Sequence, residues 1–556
     1  MKRKHQIEFE KTIADIIAGS PVRNIVCDII PGGGKSSLPV AACKLIDAGL
    51  VDKIAWLCPR LSLQDQGERA FISPFMRGMF GVRHSIRSSV NDADPCRGTN
   101  GWIGTYQAAA VDNMKTALAD FRSRRYILVL DELQHLADNG DWSGPVRELY
   151  EHAKYRILMS GTLSRHDRKK ISFISYEKKG DGLFMPDFQG NEETAAIRYG
   201  RVEALRERAI IPMTFFFSEG TAKWQKLTGK IVEAKLSTAK DQSHALFTAL
   251  NTEYATELLA ATVDHWSRHR VTTNPNAKLL VVCAQIKDAE KMTAQLKAWG
   301  RHALIATSDD SKDALKAIKS YKAGRVKILV SVSMASEGLD VPEISHIACL
   351  TRIRSKEWLD QCLARAVRID PAGGPYSTQR AFIFAPNDVM FREIAAKIEA
   401  DQTDPAVEQH KGNGKQALEA DGGFELEGAD MRAPGGITPL SSRLTGYNEM
   451  PLFGGMGSMA MDPPQEIRTN REQENDLLGA IEAHIRRYSF QNRHNPKRLN
   501  AEIYSHFGGK ARRQMDIREL EEVLAWVQQR YPAGYIRGTG NMRVPMRAHR
   551  VAVQWR

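Results

Sequence analysis

The chain has 556 residues, of which 42% are hydrophobic and 26% are charged. This length predicts about three or four domains with enough apolar material for several cores. No run of about 18 apolar residues occurs, which argues against a membrane-spanning helix, and the charged first residues lack the apolar stretch of a secretory signal. The seven cysteines form no CxxC pair, which argues against a disulfide framework or a zinc ribbon. We therefore expect a soluble, cytoplasmic, multi-domain protein with no membrane partner.

The distribution of charge favours a polyanionic partner. The formal net charge is +12, and residues 471–556 carry 16 basic and 9 acidic side chains, whereas residues 401–470 carry 5 and 11. A basic segment of this kind can hold the phosphates of a nucleic acid, although a solvated basic surface has the same composition.

Short apolar runs separated by helix-length stretches predict parallel strands that are covered on both faces. The runs are 24–30, 53–59, 102–107, 126–132 and 155–161, then 278–284, 302–308, 326–333, 344–350 and 380–386. The pattern breaks over residues 165–275. The expected fold class is therefore α/β, with two tandem parallel-sheet domains.

The remainder of the chain differs in composition from the two predicted parallel-sheet domains. Residues 401–470 contain 11 glycines and 6 prolines, which predicts a flexible linker or an irregular crossing segment. Apolar residues at three- and four-residue spacing after residue 471 predict a small, mainly helical domain. The expected divisions are a first domain at 1–200, a connecting insertion at 201–270, a second domain at 271–400, the acidic linker at 401–470 and a basic accessory domain at 471–556.

Residues 31–37, PGGGKSS, directly follow the first apolar run and predict a phosphate-binding loop. Glycines let backbone N–H groups surround a phosphate chain, and the next helix adds its positive end. Lys35 would neutralise the β- and γ-phosphates of ATP, and the Ser36 hydroxyl would bind Mg²⁺. Ile29 stands where the full GxxxxGK[ST] pattern has glycine. The residues expected to hold the nucleotide here are Gly32, Gly33, Gly34, Lys35, Ser36 and Ser37.

An acidic pair closes the run YILVLDE at 126–132. Asp131 would hold Mg²⁺ through water, and Glu132 would activate the attacking water as a general base. Both are expected to be catalytic together with Lys35.

With these two elements, the sequence resembles a superfamily-2 helicase of the DEAD/DEAH-box type. Other segments are similar to that family's motifs, in the family's order, within residues 1–400: RKHQ at 3–6, CPR at 58–60, GTYQ at 104–107, DELQ at 131–134, SGT at 160–162, SEGLDVP at 336–342 and QCLARAVR at 361–368. The resemblance implies two RecA-like domains that bind ATP and Mg²⁺ between them and hold nucleic acid.

The resemblance also implies roles for individual residues. Gln6 would contact the adenine, and Gly338 and Asp340 would contact the nucleotide. The residues expected to touch the nucleic-acid backbone are Pro59, Arg60, Thr105, Gln107 and Ser333. The residues expected to couple hydrolysis to domain closure are Gln134, Ser160 and Thr162.

Two arginines of the second domain are expected to complete the ATP site. Gln361, Arg365 and Arg368 stand at positions i, i+4 and i+7, which predicts that they share one face of a helix. That face would present two guanidinium groups to the γ-phosphate and stabilise transition-state charge. The motif resembles QxxGRxxR, with Ala364 in place of the glycine. We expect all three residues to be catalytic.

Two segments favour DNA as the nucleic acid. SGTLSRHD at 160–167 is similar to the TPxRxD pattern of duplex-DNA translocases and restriction-motor subunits, and residues 201–212 are similar to the segment between their motor domains. Gln134 replaces the usual His or Asp of the acidic box, and Leu163 replaces the Pro of TPxRxD.

We therefore expect an ATP-dependent DNA helicase or translocase. The residues leave three alternatives open: a duplex-DNA translocase subunit of a restriction, defence or repair complex that does not separate strands, an RNA helicase, and a nucleic-acid-binding scaffold with an inactive motor. For residues 471–556, a second nucleic-acid surface and a docking module for a protein partner both remain open.

Overall fold

The computed structural model describes residues 2–89, 94–109, 115–136, 143–161, 170–178, 184–187, 191–307, 312–332, 339–402, 437–450 and 469–532. Contacts divide the chain into two units, Met1–Thr469 and Asn470–Arg556. The first unit contains two large sheets, and the second unit contains helices.

The first large sheet is entirely parallel. The strands of this half of the chain are β1 (Asn24–Ile29), β2 (Lys53–Cys58), β3 (Ile86–Ser88), β4 (Gly101–Thr105), β5 (Tyr126–Asp131), β6 (Tyr155–Ser160), β7 (Tyr176–Lys178), β8 (Phe184–Pro186) and β9 (Thr194–Tyr199). Their order in the sheet is β3-β4-β2-β5-β6-β1-β9, and β7 pairs with β8 separately. Because all neighbours are parallel, the carboxyl ends of β1, β5 and β6 meet at one edge, where α/β sheets bind ligands.

Helices bury both faces of this sheet. They are α1 (Lys4–Ile17), α2 (Leu38–Ala42), α3 (Lys44–Asp47), α4 (Leu61–Ile72), α5 (Pro74–Phe80), α6 (Tyr106–Ala109), α7 (Lys115–Ser123), α8 (Ser143–His152) and α9 (Arg201–Arg206). Cys27 of β1 enters one core with Phe9 of α1, whereas the adjacent Val26 enters another with Phe121 of α7. Strands with two buried faces need almost uninterrupted apolar residues, which explains the runs in the sequence.

The second large sheet is mostly parallel. Its strands are β10 (Met213–Lys226), β11 (Ile231–Lys235), β12 (Lys278–Cys283), β13 (Ala303–Ala306), β14 (Ile328–Val332), β15 (Ile344–Leu350), β16 (Ala381–Pro386) and β17 (Ile437–Met450). The order is β11-β10-β16-β15-β12-β14-β13, and β17 pairs with β10. The helices of this half are α10 (Gln242–Asn251), α11 (Glu253–Thr272), α12 (Ile286–Ala298), α13 (Lys312–Lys322), α14 (Lys356–Leu363) and α15 (Val389–Gln402).

The two sheets confirm the predicted fold class of tandem parallel-sheet domains. Each of the ten apolar runs contains a strand, five in the first sheet and five in the second. The carboxyl-terminal segment is helical as predicted, with α16 (Asn470–Asn492), α17 (Pro496–His506) and α18 (Ile517–Arg530). Within the described part of the chain, none of the helices combines the length and the apolarity needed to cross a bilayer.

One segment differs from its expected structure. Residues 437–450 lie in the region expected to be a linker, but they form β17, which pairs antiparallel with β10 from Phe215↔Met450 to Lys226↔Ile437. Side chains hold the strand in addition to the ladder: the backbone N–H of Ser442 donates to Glu253 Oε2 at 3.1 Å, and Ser442 Oγ accepts from the N–H of Tyr254 at 3.1 Å. The strand forms because β10 offers an edge with which it can pair, and amino-acid composition does not reveal such an edge.

Three histidines lie together between α11 and β15 in the second domain. His265 Nδ1 and His346 Nε2 are 2.9 Å apart, and the ring of His269 lies 5.2 Å from that of His346. Phe216 and Phe382 pack against the cluster. Burial, with a smaller contribution from Arg268, lowers the pKa of His265 to about 4, and burial also lowers the pKa of the other two histidines.

This cluster predicts a loss of stability in mild acid. Because the pKa of His265 in the folded protein lies below the unfolded value of about 6.5, the unfolded chain binds more protons as the pH falls, and stability decreases from about pH 6.5 towards pH 4. We expect His265→Gln to reduce this slope by up to about 1.4 kcal/mol per pH unit, measured by denaturant unfolding. His302→Gln, at an exposed position outside the cluster, is the control for the substitution. An equal slope for His265→Gln and the wild type would contradict the prediction.

Candidate functional site

The loop after β1 has a backbone that requires glycine. Gly32 and Gly34 have φ angles of +88° and +92°, in the left-handed region that favours glycine. At Gly33, an added Cβ atom would lie only 2.8 Å from the carbonyl oxygen of Ile30. The tight loop thus brings the start of Lys35–Ser37 directly to the carboxyl end of β1.

Lys35 forms ion pairs with both acidic residues at the end of β5. Lys35 Nζ contacts Glu132 Oε1 and lies 3.2 Å from Asp131 Oδ1. The side chains of Lys35 and Glu132 are only 13% and 15% exposed. Burial opposes the charge on Lys35, but the two carboxylates outweigh it and raise its pKa. Burial also opposes the charge on Glu132 and by itself would raise the pKa of this carboxyl. The nearby Lys35 and the hydrogen bond from Gln134 outweigh burial and lower the pKa of Glu132 to about 2.

A chain of hydrogen bonds runs from Glu132 to the end of the neighbouring strand β6. Gln134 Nε2 donates to Glu132 Oε2 at 2.7 Å, and Ser160 Oγ donates to Gln134 Oε1 at 2.7 Å. Gln134 therefore bridges the two positions, even though the resembling family usually has another residue type there. Thr162, the third residue expected in coupling, lies outside the described residues.

The amino-terminal residues reach the same loop. Gln6 Nε2 donates to Ser37 Oγ at 2.9 Å, and Gln6 Oε1 accepts from the backbone N–H of Arg3 at 2.9 Å. Arg3 Nη1 donates to the carbonyl oxygen of Gly33 at 2.6 Å. The sequence analysis did not predict the contact of Arg3 with the loop. The sequence shows only that a basic residue stands three positions before Gln6.

Arg368 of the second domain lies against the glycine loop of the first. A Cβ atom on Gly32 would stand 3.7 Å from Arg368 Nε, which is buried and has no hydrogen-bond partner among the described residues. Arg368 Nη1 pairs with Asp340 Oδ1 at 2.8 Å. Asp340 also accepts a hydrogen bond from Gln66 Nε2 of α4 at 3.2 Å, so it joins the two domains.

The prediction that Gln361, Arg365 and Arg368 share one face of a helix is wrong. Helix α14 ends at Leu363, and the chain then tightens into a turn in which the N–H of Arg365 donates to the carbonyl of Cys362 at 3.2 Å. Gln361 is on the helix, but Arg365 and Arg368 lie beyond its end. The turn is followed by Val367, which is buried and whose carbonyl accepts from the N–H of Ile211 at 2.9 Å. This contact with the connecting segment holds the turn beside the first domain.

The residues expected to touch nucleic acid are positioned differently from one another. Arg60 and Thr105 are buried, Pro59 is half-buried and Gln107 is exposed. Thr105 Oγ1 accepts from the N–H of Ala108 at 3.1 Å and so begins α6. Ser333 and Gly338, expected to contact nucleic acid and nucleotide, lie outside the described residues. The roles of all these residues remain predictions.

Ser36 and Asp131 have the donor chemistry expected of a Mg²⁺ site. A hydroxyl and a carboxylate oxygen are hard ligands, and a site with few protein ligands leaves positions for phosphate and water oxygens. In the ranges that the structure describes, no group of three or more His, Cys, Asp or Glu side chains forms a separate metal site. Their role as Mg²⁺ ligands remains a prediction.

Two parallel-rich sheets, with a glycine loop after β1 and an acidic pair at the end of β5, define a nucleotide-binding RecA-like fold. Residues 258–370 match the family described as Helicase conserved C-terminal domain. This match, the ordered motifs and the fold make the chain similar to helicases of superfamily 2 and support a protein of that type.

Curated proteins and solved structures are similar to this chain over long stretches. Uncharacterized protein Rv2917 of Mycobacterium tuberculosis is 24% identical over 470 residues, which cover 83% of this chain and 73% of that protein. UvrABC system protein B of Photorhabdus laumondii is 28% identical over 222 residues, which cover 38% of this chain and 30% of that protein. The structure of Mycobacterium smegmatis helicase Lhr bound to ssDNA and AMP-PNP has a TM-score of 0.47 at 13% identity, covering 72% of this chain and 48% of Lhr.

Proposed function

We propose that the protein is an ATP-driven DNA motor, a helicase or translocase that couples ATP hydrolysis to movement along or unwinding of DNA in the cytoplasm. The observation that carries the proposal is that candidate ATP-binding residues of the first domain lie close to Arg368 of the second domain. The Lys35–Asp131–Glu132 cluster of the first domain stands behind a phosphate loop whose Gly32 lies against Arg368 of the second domain. A nucleotide bound at this loop would be contacted from both domains.

ATP binding at this loop would change the ion pairs of Lys35. The phosphates would compete with the two carboxylates for Lys35, and its departure would remove the largest favourable contribution to the low pKa of Glu132. Glu132 would then be a stronger base and could accept a proton from the attacking water. Ser36 and Asp131 would hold Mg²⁺, which neutralises charge on the phosphates.

The second domain would supply charge stabilisation and the link to movement. Arg365 and Arg368 would stabilise the charge that develops on the γ-phosphate, and Asp340 would orient Arg368 through its 2.8 Å ion pair. Loss of the γ-phosphate would remove this attraction and release the domains. The Glu132–Gln134–Ser160 hydrogen bonds would transmit the state of the nucleotide to the end of β6. Closing and opening in this way can move a protein along a strand.

DNA rather than RNA is proposed because residues 160–167 and 201–212 resemble segments of DNA translocases. The connecting segment 201–212 also contacts the second domain: the N–H of Ile211 donates to the carbonyl of Val367, directly after the arginine turn, and the carbonyl of Ile210 accepts from Tyr376 Oη at 2.8 Å. A cytoplasmic location is consistent with seven cysteines that are all free thiols.

The proposal is tested by measuring ATP hydrolysis alone and with single-stranded DNA, duplex DNA, forked DNA or RNA. We expect one DNA form to stimulate turnover several-fold and Lys35→Ala to abolish turnover. Since Lys35→Ala leaves two buried carboxylates unpaired, at a cost of about 3–5 kcal/mol, its folding is checked by circular dichroism. Stimulation by duplex DNA without unwinding identifies a translocase, and stimulation by RNA alone an RNA helicase. Binding without any turnover would contradict the motor.

A further inference from the structure

The carboxyl-terminal unit has a fixed surface because its three helices share one core. Ile485 of α16, Ile503 of α17 and Val523 of α18 are buried together. The turn between α16 and α17 is also ordered: the buried Ser489 bonds through Oγ to the carbonyl of His494, whose N–H donates back to the Ser489 carbonyl at 3.1 Å. Side chains around this turn are therefore held in defined positions.

Positive charge is concentrated around this turn. Between residues 486 and 513 the sequence has eight basic side chains and one acidic side chain. The single acidic residue, Glu502, lies 3.4 Å from Arg530, outside this stretch, so its charge does not offset the others. Four exposed basic residues form no ion pair with any residue that the structure describes. They are Arg487, Arg493, Lys497 and Arg498.

Two aromatic side chains in this stretch of the sequence are exposed. Phe490 is 80% exposed and Tyr504 is 52% exposed. Phe490 follows Arg487 by three positions on α16, and Tyr504 follows Lys497 by seven positions on α17, so each aromatic ring shares a helix face with a cation. Exposed aromatic rings beside cations suit a nucleic acid strand, since phosphates pair with the cations and bases stack on the rings.

We propose that this surface, the basic aromatic face made of Arg487, Phe490, Arg493, Lys497, Arg498 and Tyr504, binds single-stranded DNA. Bases in a duplex are stacked on each other and cannot meet Phe490, so the rings favour a single strand. An acidic protein would use the cations but would leave Phe490 without a function. The choice of DNA over RNA rests on the proposed function.

The test uses the full chain without ATP and a fluorescein-labelled 30-nucleotide thymidine strand. We expect Phe490→Ala to weaken binding, measured by fluorescence anisotropy, by about five-fold or more. Substituting Arg487→Gln and Lys497→Gln together should lower the slope of log affinity against log salt by about 1.4, since each lost phosphate contact on a single strand removes about 0.7. Arg518→Gln, an exposed change on α18 among acidic neighbours, is the matched control and should change neither quantity.

A second measurement follows the reactivity of Lys497, a residue of the face itself. Strong binding of DNA elsewhere on the protein would therefore not hide the result. Lys497 should react several-fold more slowly with an amine-specific reagent when the thymidine strand is saturating, whereas the exposed Lys316 of the first unit should react at the same rate. Unchanged reactivity of Lys497 would overturn the proposal. Protection by duplex DNA or RNA but not by the thymidine strand would overturn the choice of ligand, and protection only by an acidic protein would assign the face to protein docking.

The outcomes also separate this inference from the motor. ATP is absent from both binding measurements. If Phe490→Ala weakened DNA binding but the wild-type protein hydrolysed no ATP, only the proposed motor function would be rejected. Stimulation of ATP hydrolysis by DNA together with an unprotected Lys497 would reject only the basic aromatic face.

Discussion

Glu132→Gln is expected to lower the rate of ATP hydrolysis by about 10²- to 10⁴-fold, the usual contribution of a general base, while ATP still binds. The amide keeps the shape of the carboxylate but cannot accept the proton of the attacking water. Lys35 retains a carboxylate partner because Asp131 Oδ1 lies 3.2 Å away, so no buried cation is left alone. The measurement is steady-state ATP turnover, together with binding of a fluorescent ATP analogue.

Glu148→Gln is the matched control for this prediction. Glu148 lies on α8 of the same domain, is more than half exposed and lies 4.0 Å from Arg122. A surface ion pair of this kind contributes at most about 1 kcal/mol, so the control should retain wild-type turnover. If Glu132→Gln hydrolysed ATP as fast as the control, the assignment of Glu132 as the base would be wrong.

Arg368→Ala is expected to reduce turnover by about 10³- to 10⁵-fold, the range for an arginine that stabilises transition-state charge in phosphoryl transfer. Nucleotide binding should change much less, because Lys35 and the glycine loop belong to the first domain. The fold should be retained as well, because Asp340 is partly exposed and still accepts a hydrogen bond from Gln66. Turnover and nucleotide affinity measured on the same preparation separate these effects.

Arg325→Ala is the control for Arg368→Ala. Arg325 is exposed and precedes the amino end of β14, which is the opposite edge of the sheet from the nucleotide site. Arg368→Lys should give an intermediate loss, since lysine keeps the charge but not the planar guanidinium. Equal turnover for Arg368→Ala and Arg325→Ala would show that Arg368 does not act on the nucleotide.

The parts of the fold that could be predicted are those fixed by local sequence. Strands buried on both faces leave apolar runs, and the glycine loop and the acidic pair each lie within a few consecutive residues. Strand β10 was not predicted, because it continues beyond the parallel sheet to Lys226 and has half-buried positions in its second part. Strand β17 was missed for a related reason, since its pairing depends on a strand more than 200 residues earlier.

The contacts that join the two domains could not be derived from spacing. Gln66 and Asp340 are 274 positions apart, and only the packed domains bring them within hydrogen-bond distance. The spacing of Gln361, Arg365 and Arg368 suggested a helix, but spacing alone does not report where a helix ends. After the turn that follows Leu363, Val367 is buried and its carbonyl accepts from the N–H of Ile211 in the connecting segment, a tertiary contact that spacing does not predict.

The pairing of β17 with β10 has a consequence for any shortened form of the protein. Strand β17 covers β10 along twelve paired positions, from Phe215 to Lys226. A chain that stopped after α15 would retain both parallel sheets but would present this ladder of unpaired N–H and C=O groups to solvent, a template for the edge of another molecule. We therefore expect the solubility of the two sheet domains to depend on β17, and a fragment for biochemical work is better ended after Met450 than after Gln402.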